Sequence, residues 1–132
     1  MVTIKDISER CGVSRATVSK ALNGHTDIGA DTIAQIRRVA KEIKYLPNAT
    51  ARTLKLGRSH NIGVLFVDNT GSGLKHEYFS SILDSLKVES ERRGYDITFI
   101  SKDIGEFSMD YYEHAKYRNC DGVVIASVDF SD

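Results

Sequence analysis

The 132 residues are 41% hydrophobic and 27% charged, which excludes a disordered chain and indicates a soluble globular protein. Eighteen basic residues balance 18 acidic ones, but they are unevenly distributed. Residues 1–60 hold 11 Lys and Arg against 5 Asp and Glu, whereas residues 61–132 hold 7 against 13. This asymmetry favours a polyanionic partner for the first part alone, although a run of charge is often only a solvated face.

The sequence offers no support for several classes of function. Cys11 and Cys120 lie far apart and, with four scattered histidines, match no metal-ligand spacing, so we expect no metal and no cofactor. No catalytic cluster is recognisable, and we therefore expect no enzyme. The N-terminus has no apolar run of signal-peptide length, and no segment reaches membrane-spanning length. These features predict a cytoplasmic protein with no membrane partner.

Residues 3–23 carry the pattern of two short helices joined by a tight turn. Thr3, with Asp6 three residues later, predicts the N-cap of the first helix, and Gly12 predicts its end because the turn needs positive φ. Ser14 predicts the cap of a second helix that runs to about Asn23. The side chains predicted to be buried are Ile4, Ile7, Cys11, Val18, Ala21 and Leu22.

The spacing within this segment predicts a helix-turn-helix. Two helices that cross steeply require a small residue on the first helix, a turn glycine, an apolar residue after it and a β-branched residue in the second helix. These are Ser8, Gly12, Val13 and Val18. The second helix of such a unit enters the major groove of DNA, where Arg15 fits the O6/N7 edge of guanine. An ordinary helical bundle is the alternative interpretation.

The pattern changes after the second helix. A third helix is predicted over about Asp31–Lys44, Pro47 marks a boundary, and Asn48–Leu56 forms at most a two-turn helix that is marginal without a partner. Strands then alternate with helices. They are Ile62–Val67, Glu77–Arg93, Ile97–Ile100, Phe107–Arg118 and Gly122–Ala126. This β-α-β-α-β order predicts an α/β fold with a parallel sheet, the beginning of a doubly wound domain.

Several motifs together resemble the LacI/GalR family of bacterial repressors. They are Thr3-Ile4-Lys5-Asp6-Ile7, Gly12-Val13-Ser14, Thr17-Val18-Ser19, Asn23 and Tyr45-Leu46-Pro47-Asn48. The resemblance covers the whole chain. It implies an all-α helix-turn-helix DNA-binding head at residues 1–45 and a hinge helix and linker at 46–59. Residues 60–132 would then be part of the N-terminal lobe of a periplasmic-binding-protein-like effector domain. That domain has two lobes in the family, so the chain is expected to be truncated and to bind no effector in the family's manner.

The resemblance also implies a set of DNA-binding residues. Arg15 and Ala16 match the family's base-reading pair, with Ser19 and Lys20 nearby on the same helix, although Lys20 is equally consistent with a plain surface charge. The positions that hold the phosphate backbone or orient the head are matched by Ser14, Thr17, Asn23 and Tyr45, and Thr3 belongs to the same predicted surface. Gly29 and Ile33 depart from the family pattern, because a serine and a basic residue are usual there.

In the predicted hinge helix, Leu54 matches the apolar wedge that unstacks the central base step in the minor groove, and Ala51 permits close approach. Packing of Leu54 against the effector domain is the alternative. Asn48 and Lys55 complete the predicted hinge contacts, although Lys55 is also explained as a charge that keeps a linker soluble.

The partners implied by the resemblance are a pseudo-palindromic double-stranded DNA operator, a second copy of the chain, and a small-molecule effector of the full-length protein, a sugar. Asp68, Asn69 and Ser72 match the loop at the mouth of the effector cleft, and a flexible turn is the alternative. The predicted function is thus transcriptional regulation, of the repressor type. Two other functions stay open: a sugar-binding α/β protein with no role on DNA, and a short DNA-binding protein whose remnant lobe only dimerises.

Overall fold

The computed structural model describes residues 1–128, and its Cα positions divide the chain into two compact units, Met1–Asn48 and a unit that begins at Ala49. The predicted fold class, a helical head followed by a parallel sheet, is confirmed. The first unit contains α1 (Ile4–Cys11), α2 (Arg15–Leu22) and α3 (Ala30–Glu42). The second contains α4 (Ala49–Leu56), β1 (Asn61–Phe66), α5 (Glu77–Arg92), β2 (Asp96–Ile100), α6 (Tyr111–Tyr117) and β3 (Gly122–Ser127), with a 3₁₀ turn at Gly73–Lys75.

The three helices of the head close around one apolar core. Its fully buried members are Ile7, Val18, Ala21 and Ile36, one or two from each helix. The half-buried residues packed around them include Ile4, Cys11, Val13, Leu22, Ile33, Ile43 and Tyr45. Full burial of one large apolar side chain contributes roughly 1.5–3 kcal/mol, so this cluster is the main source of stability in the head.

The second unit is organised around β1, the central strand of a three-stranded parallel sheet of order β2-β1-β3. Val64 of β1 lies opposite Phe99 of β2 and Val124 of β3. Residues 63–65 are buried, as the continuous apolar run predicts for a strand covered on both sides. A Cβ at Gly63 would lie 2.9 Å from Cγ1 of Ile100, so a larger residue there would have to displace the Ile100 side chain.

The predicted start of the last helix is wrong. Helix α6 begins at Tyr111, not at Phe107, because Asp110 and Glu113 form a reciprocal capping box. The Glu113 N–H donates to Asp110 Oδ1 over 2.7 Å, and the Asp110 N–H donates to Glu113 Oε2 over 2.9 Å. Phe107 instead exchanges two 2.9 Å backbone hydrogen bonds with Ile104 across a tight turn. The acidic pair, not the apolar pattern, sets this boundary.

Candidate nucleic-acid interface

Local hydrogen bonds fix both ends of α1. The Thr3 N–H donates to Asp6 Oδ2 over 2.7 Å, and the Thr3 hydroxyl donates to the same oxygen over 2.9 Å. These two bonds, the backbone one first, hold the pKa of Asp6 below its usual value. At the other end, Gly12 has φ 65 and its N–H donates to the Ser8 carbonyl. The predicted N-cap and turn glycine are therefore confirmed.

The residues that allow α1 and α2 to cross lie where the motif requires them. Ser8 is 9% exposed, and its hydroxyl donates to the Lys5 carbonyl over 3.1 Å, so its polar atom is satisfied within its own helix. The Val13 N–H donates to the Ser8 carbonyl over 3.1 Å and closes the turn. Val18 is fully buried in the head core. A small buried residue on α1 thus leaves room for α2.

A cap at Ser14 sets the start of α2. The Thr17 N–H donates to Ser14 Oγ over 3.1 Å, and the two hydroxyl oxygens lie 2.8 Å apart. Ser14 is exposed and Thr17 is half-buried. The unpaired backbone N–H groups of a helix's first turn attract anions, and this cap fixes the direction in which those of α2 point.

The two faces of α2 differ in burial. Val18 and Ala21 are fully buried and hold the helix against the core. The opposite face carries Arg15, Ala16 and Lys20, which are exposed, and Ser19, which is half-buried. Residues four apart on a helix share a face, so Arg15 lies beside Ser19 and Ala16 beside Lys20. We call the residues Arg15, Ala16, Ser19 and Lys20 the outer face of α2.

Two side chains on or just after α2 make hydrogen bonds that orient them. The Lys20 ammonium donates to Oδ2 of Asp27 over 2.9 Å, across the turn that follows the helix. Asn23 is the C-cap, and its side-chain amide donates to the Ser19 carbonyl over 2.6 Å. The predicted base-reading positions therefore share the outer face of α2, and Ser14 and Asn23 cap its two ends.

The chain leaves the head through a short turned segment. Helix α3 ends at Glu42, ahead of the predicted Lys44, because Lys44 takes φ 54 and cannot continue the helix. The Tyr45 N–H then donates to the Ala40 carbonyl over 2.8 Å, and the half-buried Tyr45 side chain packs against the head core. Asn48, the last residue of the first unit, is exposed.

Helix α4 buries none of its residues. Leu54 is 83% exposed, and Ala51 and Lys55 are exposed with it. The Thr53 hydroxyl donates to the Ala49 carbonyl over 2.9 Å, which is a bond within the helix. A helix of eight residues that leaves a leucine in water gains little from burial, so its formation depends on a partner surface.

The loop after β1 contains the three predicted effector residues. Asp68 Oδ1 accepts from the Thr70 hydroxyl over 2.6 Å and from the Thr70 N–H over 2.9 Å, and Oδ2 accepts from the Gly73 N–H over 2.6 Å. The Thr70 hydroxyl, followed by the Thr70 N–H, holds the pKa of Asp68 below its usual value. Asp68 therefore organises the loop. Asn69 and Ser72 are exposed in it, and Ser72 Oγ accepts from the Thr70 hydroxyl over 3.3 Å.

Sequence reasoning missed Asp121, which fixes the point where the linker enters β1. Its Oδ1 accepts from the Ser59 N–H over 2.9 Å and from the Ser59 hydroxyl over 3.1 Å, and Oδ2 accepts from the His60 N–H over 3.0 Å. These donors, led by the Ser59 N–H, hold the pKa of Asp121 below its usual value. The only sequence signal is an acidic residue directly before β3, and its partner lies 62 residues away.

Residues 1–128 contain neither a membrane-spanning helix nor a cluster of metal-binding side chains. No helix in that range is both long enough and apolar enough to cross a membrane. The same residues contain no group of three or more His, Cys, Asp and Glu side chains placed to hold a metal ion.

A helix-turn-helix head followed by a parallel α/β unit defines the structural class of the protein. The family described as "Bacterial regulatory proteins, lacI family" matches residues 3–48, the segment that contains α1, α2 and α3. The head of the chain thus matches the lacI family, as its motifs predict.

The chain is similar to curated repressors along nearly its whole length. It is 30% identical over 132 residues to the HTH-type transcriptional repressor PurR of Pectobacterium carotovorum subsp. carotovorum, covering 98% of this chain and 37% of that protein. It is 32% identical over 127 residues to the probable HTH-type transcriptional repressor ExuR of Bacillus subtilis, covering 96% of this chain and 36% of that one. The chain therefore spans little more than a third of the length of these relatives.

Two solved structures share the fold. The lac repressor dimer bound to operator and the anti-inducer ONPF has a TM-score of 0.72 and 25% identity, covering 94% of this chain and 37% of that one. A LacI-family transcriptional regulator from Silicibacter pomeroyi has a TM-score of 0.69 and 25% identity, covering 98% of this chain and 38% of that one. The head and the parallel sheet both fall within the matched part.

Proposed function

We propose that this chain is the DNA-binding portion of a sequence-specific transcriptional regulator of the repressor type. The observation that carries the proposal is the outer face of α2, which is exposed while Val18 and Ala21 anchor the helix from behind. The proposal is supported by two relatives named as repressors and by a structural neighbour that is bound to operator DNA.

Arg15 and Ala16 are the proposed base-reading pair. The Arg15 guanidinium is exposed in the first turn of α2, and its two parallel N–H groups match the O6 and N7 acceptors of guanine. Ala16 offers a methyl group, which fits the methyl of thymine and donates no hydrogen bond. Ser19 and Lys20, one turn further along, extend this contact surface.

Phosphate contacts then fix the register of the head on the duplex. We assign them to side chains before α1, at the two ends of α2 and after α3. They are Thr3, Ser14, Thr17, Asn23 and Tyr45. The hydroxyls of Ser14 and Thr17 lie at the N-terminus of α2, where the first-turn N–H groups favour a phosphate oxygen.

We assign residues 1–45 to the head, 46–59 to the hinge and 60–132 to part of an effector-binding lobe. Two hinge helices of a homodimer would lie side by side in the minor groove at the centre of a pseudo-palindromic operator. Leu54 would act as the wedge, Ala51 as the small residue at the close approach, and Asn48 and Lys55 as flanking contacts. The 83% exposure of Leu54 supports this assignment, because nothing in its own helix covers it.

In the full-length protein we assign the loop after β1 to a small-molecule effector, a sugar. The carboxyl ends of parallel strands are where doubly wound folds place ligands. The Asp68 carboxylate is already occupied by Thr70 and Gly73, so its part is to shape the loop. Asn69 and Ser72 are the proposed polar contacts. An effector that favours one dimer arrangement would change operator affinity through the hinge.

The test begins with selection of a preferred duplex from a randomised pseudo-palindromic pool, using the 132-residue chain. Fluorescence anisotropy then compares the selected duplex with a scrambled duplex of equal composition. Arg15→Ala should weaken binding of the selected duplex by about 1–3 kcal/mol and leave the scrambled one nearly unchanged. Arg38→Ala is the matched control, because Arg38 is an exposed arginine on α3 that pairs with Glu42. Equal weakening of both duplexes would make Arg15 a phosphate contact, and no binding at low salt would refute the proposal.

The hinge assignment has its own test. Leu54→Ala should weaken binding to the selected duplex. It should leave the fold of the chain unchanged, since this side chain is not buried. The angle by which a bound dimer bends the duplex should also decrease in Leu54→Ala. Energy transfer between dyes at the two ends of the duplex measures this angle. A Leu54→Ala variant that binds and bends the duplex like the wild type would contradict the wedge role.

A further inference from the structure

Among the ion pairs of the head, the one between Lys20 and Asp27 has a distinct geometry. The pairs Lys5–Glu9 and Arg38–Glu42 each lie four residues apart within one helix, at 3.7 and 3.8 Å. Lys20 and Asp27 are seven residues apart, with Nζ 2.9 Å from Oδ2, so the bond ties the outer face of α2 to the turn before α3. This hydrogen bond is also the main reason why the pKa of Asp27 lies below its usual value.

We propose that Asp27 is a specificity-determining residue of this head, which acts by positioning the Lys20 ammonium beside the base-reading residues. The inference rests on the proposed DNA-binding function. An ammonium group has three donors, and one of them is directed to Asp27. The pair remains half-exposed, with side-chain exposures of 48% for Lys20 and 57% for Asp27, so the other donors can reach DNA.

The carboxylate has opposite effects on generic and on selective binding. Generic affinity comes almost entirely from cations that neutralise phosphates, and Asp27 cancels the charge of Lys20. Selective affinity also depends on the direction of donors toward base edges, and Asp27 restrains a flexible four-carbon side chain that would otherwise sample many rotamers. Asp27 therefore lowers affinity for any duplex while it holds Lys20 toward acceptors on the preferred one.

The matched variants are Asp27→Asn and Glu42→Gln. Each removes one paired carboxylate from the head, but Glu42 lies at the end of α3 and pairs with Arg38. With the scrambled duplex, Asp27→Asn should tighten binding by about threefold and steepen the slope of log K against log salt by about 0.9, the value for one more neutralised phosphate. With the selected duplex, the gain in affinity should be smaller or absent. The ratio of the two affinities should therefore fall by about threefold, whereas Glu42→Gln should leave it unchanged.

Repeating Asp27→Asn in a Lys20→Met background separates an effect through Lys20 from a general effect of charge. The drop in the affinity ratio should disappear in that background, because the two residues then have no shared interaction. Persistence of the drop, or an equal gain on both duplexes in the single variant, would overturn the proposal while leaving DNA binding intact. A wild-type chain that binds no duplex would overturn both the proposed function and this role of Asp27.

Discussion

The head and the α/β unit bury their apolar residues to different extents. In the head, each of the three helices contributes a fully buried side chain to a single core, from Ile7 on α1 to Ile36 on α3. Among residues 49–128, the one apolar side chain with no exposed surface is that of Val64, on the central strand. Phe99 on β2 and Ile125 on β3 are 51% and 58% exposed. A cleft of about 450 Å³ separates α5 from the sheet beside Phe99.

The difference follows from how each architecture covers its surfaces. Three short helices can each contact the other two, so a small head encloses its core with local segments. A parallel sheet has two faces and two edges, and in a three-stranded sheet two of the strands are edge strands. Phe99 on β2 and Ile125 on β3 therefore remain half in water. The stability of the head should therefore depend on its own core, and the head should unfold independently of the sheet.

Among the variants that test this independence, Ile36→Ala should have the largest effect. The side chain is fully buried, and its truncation should lower the free energy of unfolding of the head by about 2–5 kcal/mol. Amide cross-peaks of residues 1–48 should collapse or broaden, while those of the sheet keep their positions. Leu54→Ala serves as the control, since it removes a similar volume from an exposed site. Simultaneous loss of both sets of cross-peaks would show that the two units fold together.

Gly63→Ala tests the same independence by destabilising the sheet instead of the head. The new Cβ would lie 2.9 Å from Cγ1 of Ile100 and 3.2 Å from Cγ2 of Val123, so these side chains must shift, and the sheet should lose about 1–3 kcal/mol of stability. Gly122→Ala is the matched control, because its nearest neighbour, Ile62 Cδ1, is 3.9 Å away. Urea unfolding of the sheet should have a lower midpoint only for Gly63→Ala. Equal midpoints for the two variants would mean that β1 has room for a side chain.

The contrast between the two units also explains what the sequence could predict. The N-cap at Thr3, the turn at Gly12 and the cap at Ser14 depend on partners within five residues, so local patterns were enough. The start of α6 also had a local signal, the Asp110–Glu113 pair, but the apolar pattern outweighed it.

Long-range contacts were beyond such reasoning. The bonds of Asp121 to Ser59 and His60 join segments about sixty residues apart, and the need for glycine at Gly63 depends on the side chains of two other strands. The pairing of Lys20 with Asp27 requires the path of the turn after α2, which no residue pattern specifies. The roles of individual residues on DNA stay predictions for the same reason, since they depend on a second molecule.

A smaller effect is expected from Gly12→Ala, which tests the turn of the head without touching its core. Gly12 has φ 65, and a Cβ would meet nothing within 4 Å, so the cost is purely that of backbone conformation. An alanine in the left-handed region costs about 1–2 kcal/mol. Thermal unfolding should report a lower midpoint for the head in Gly12→Ala and a partial recovery in Gly12→Asn, because asparagine tolerates this region better. Identical midpoints for alanine and asparagine would contradict the conformational explanation.

The smallest effect concerns the entry into β1 and depends on pH. The Ser59 N–H, followed by the His60 N–H, holds the pKa of Asp121 below its ordinary value in the folded chain. The charged carboxylate therefore stabilises the fold above that ordinary value, and this contribution is lost as the pH falls through the lower folded pKa. Since Asp121 is exposed, its removal in Asp121→Asn should cost about 1 kcal/mol or less at neutral pH. The urea midpoints of wild type and variant should converge in acid, whereas Asp84→Asn on α5 should follow the wild type throughout. A gap between wild type and Asp121→Asn that stays constant into acid would show that the carboxylate's charge is not what holds Ser59 and His60.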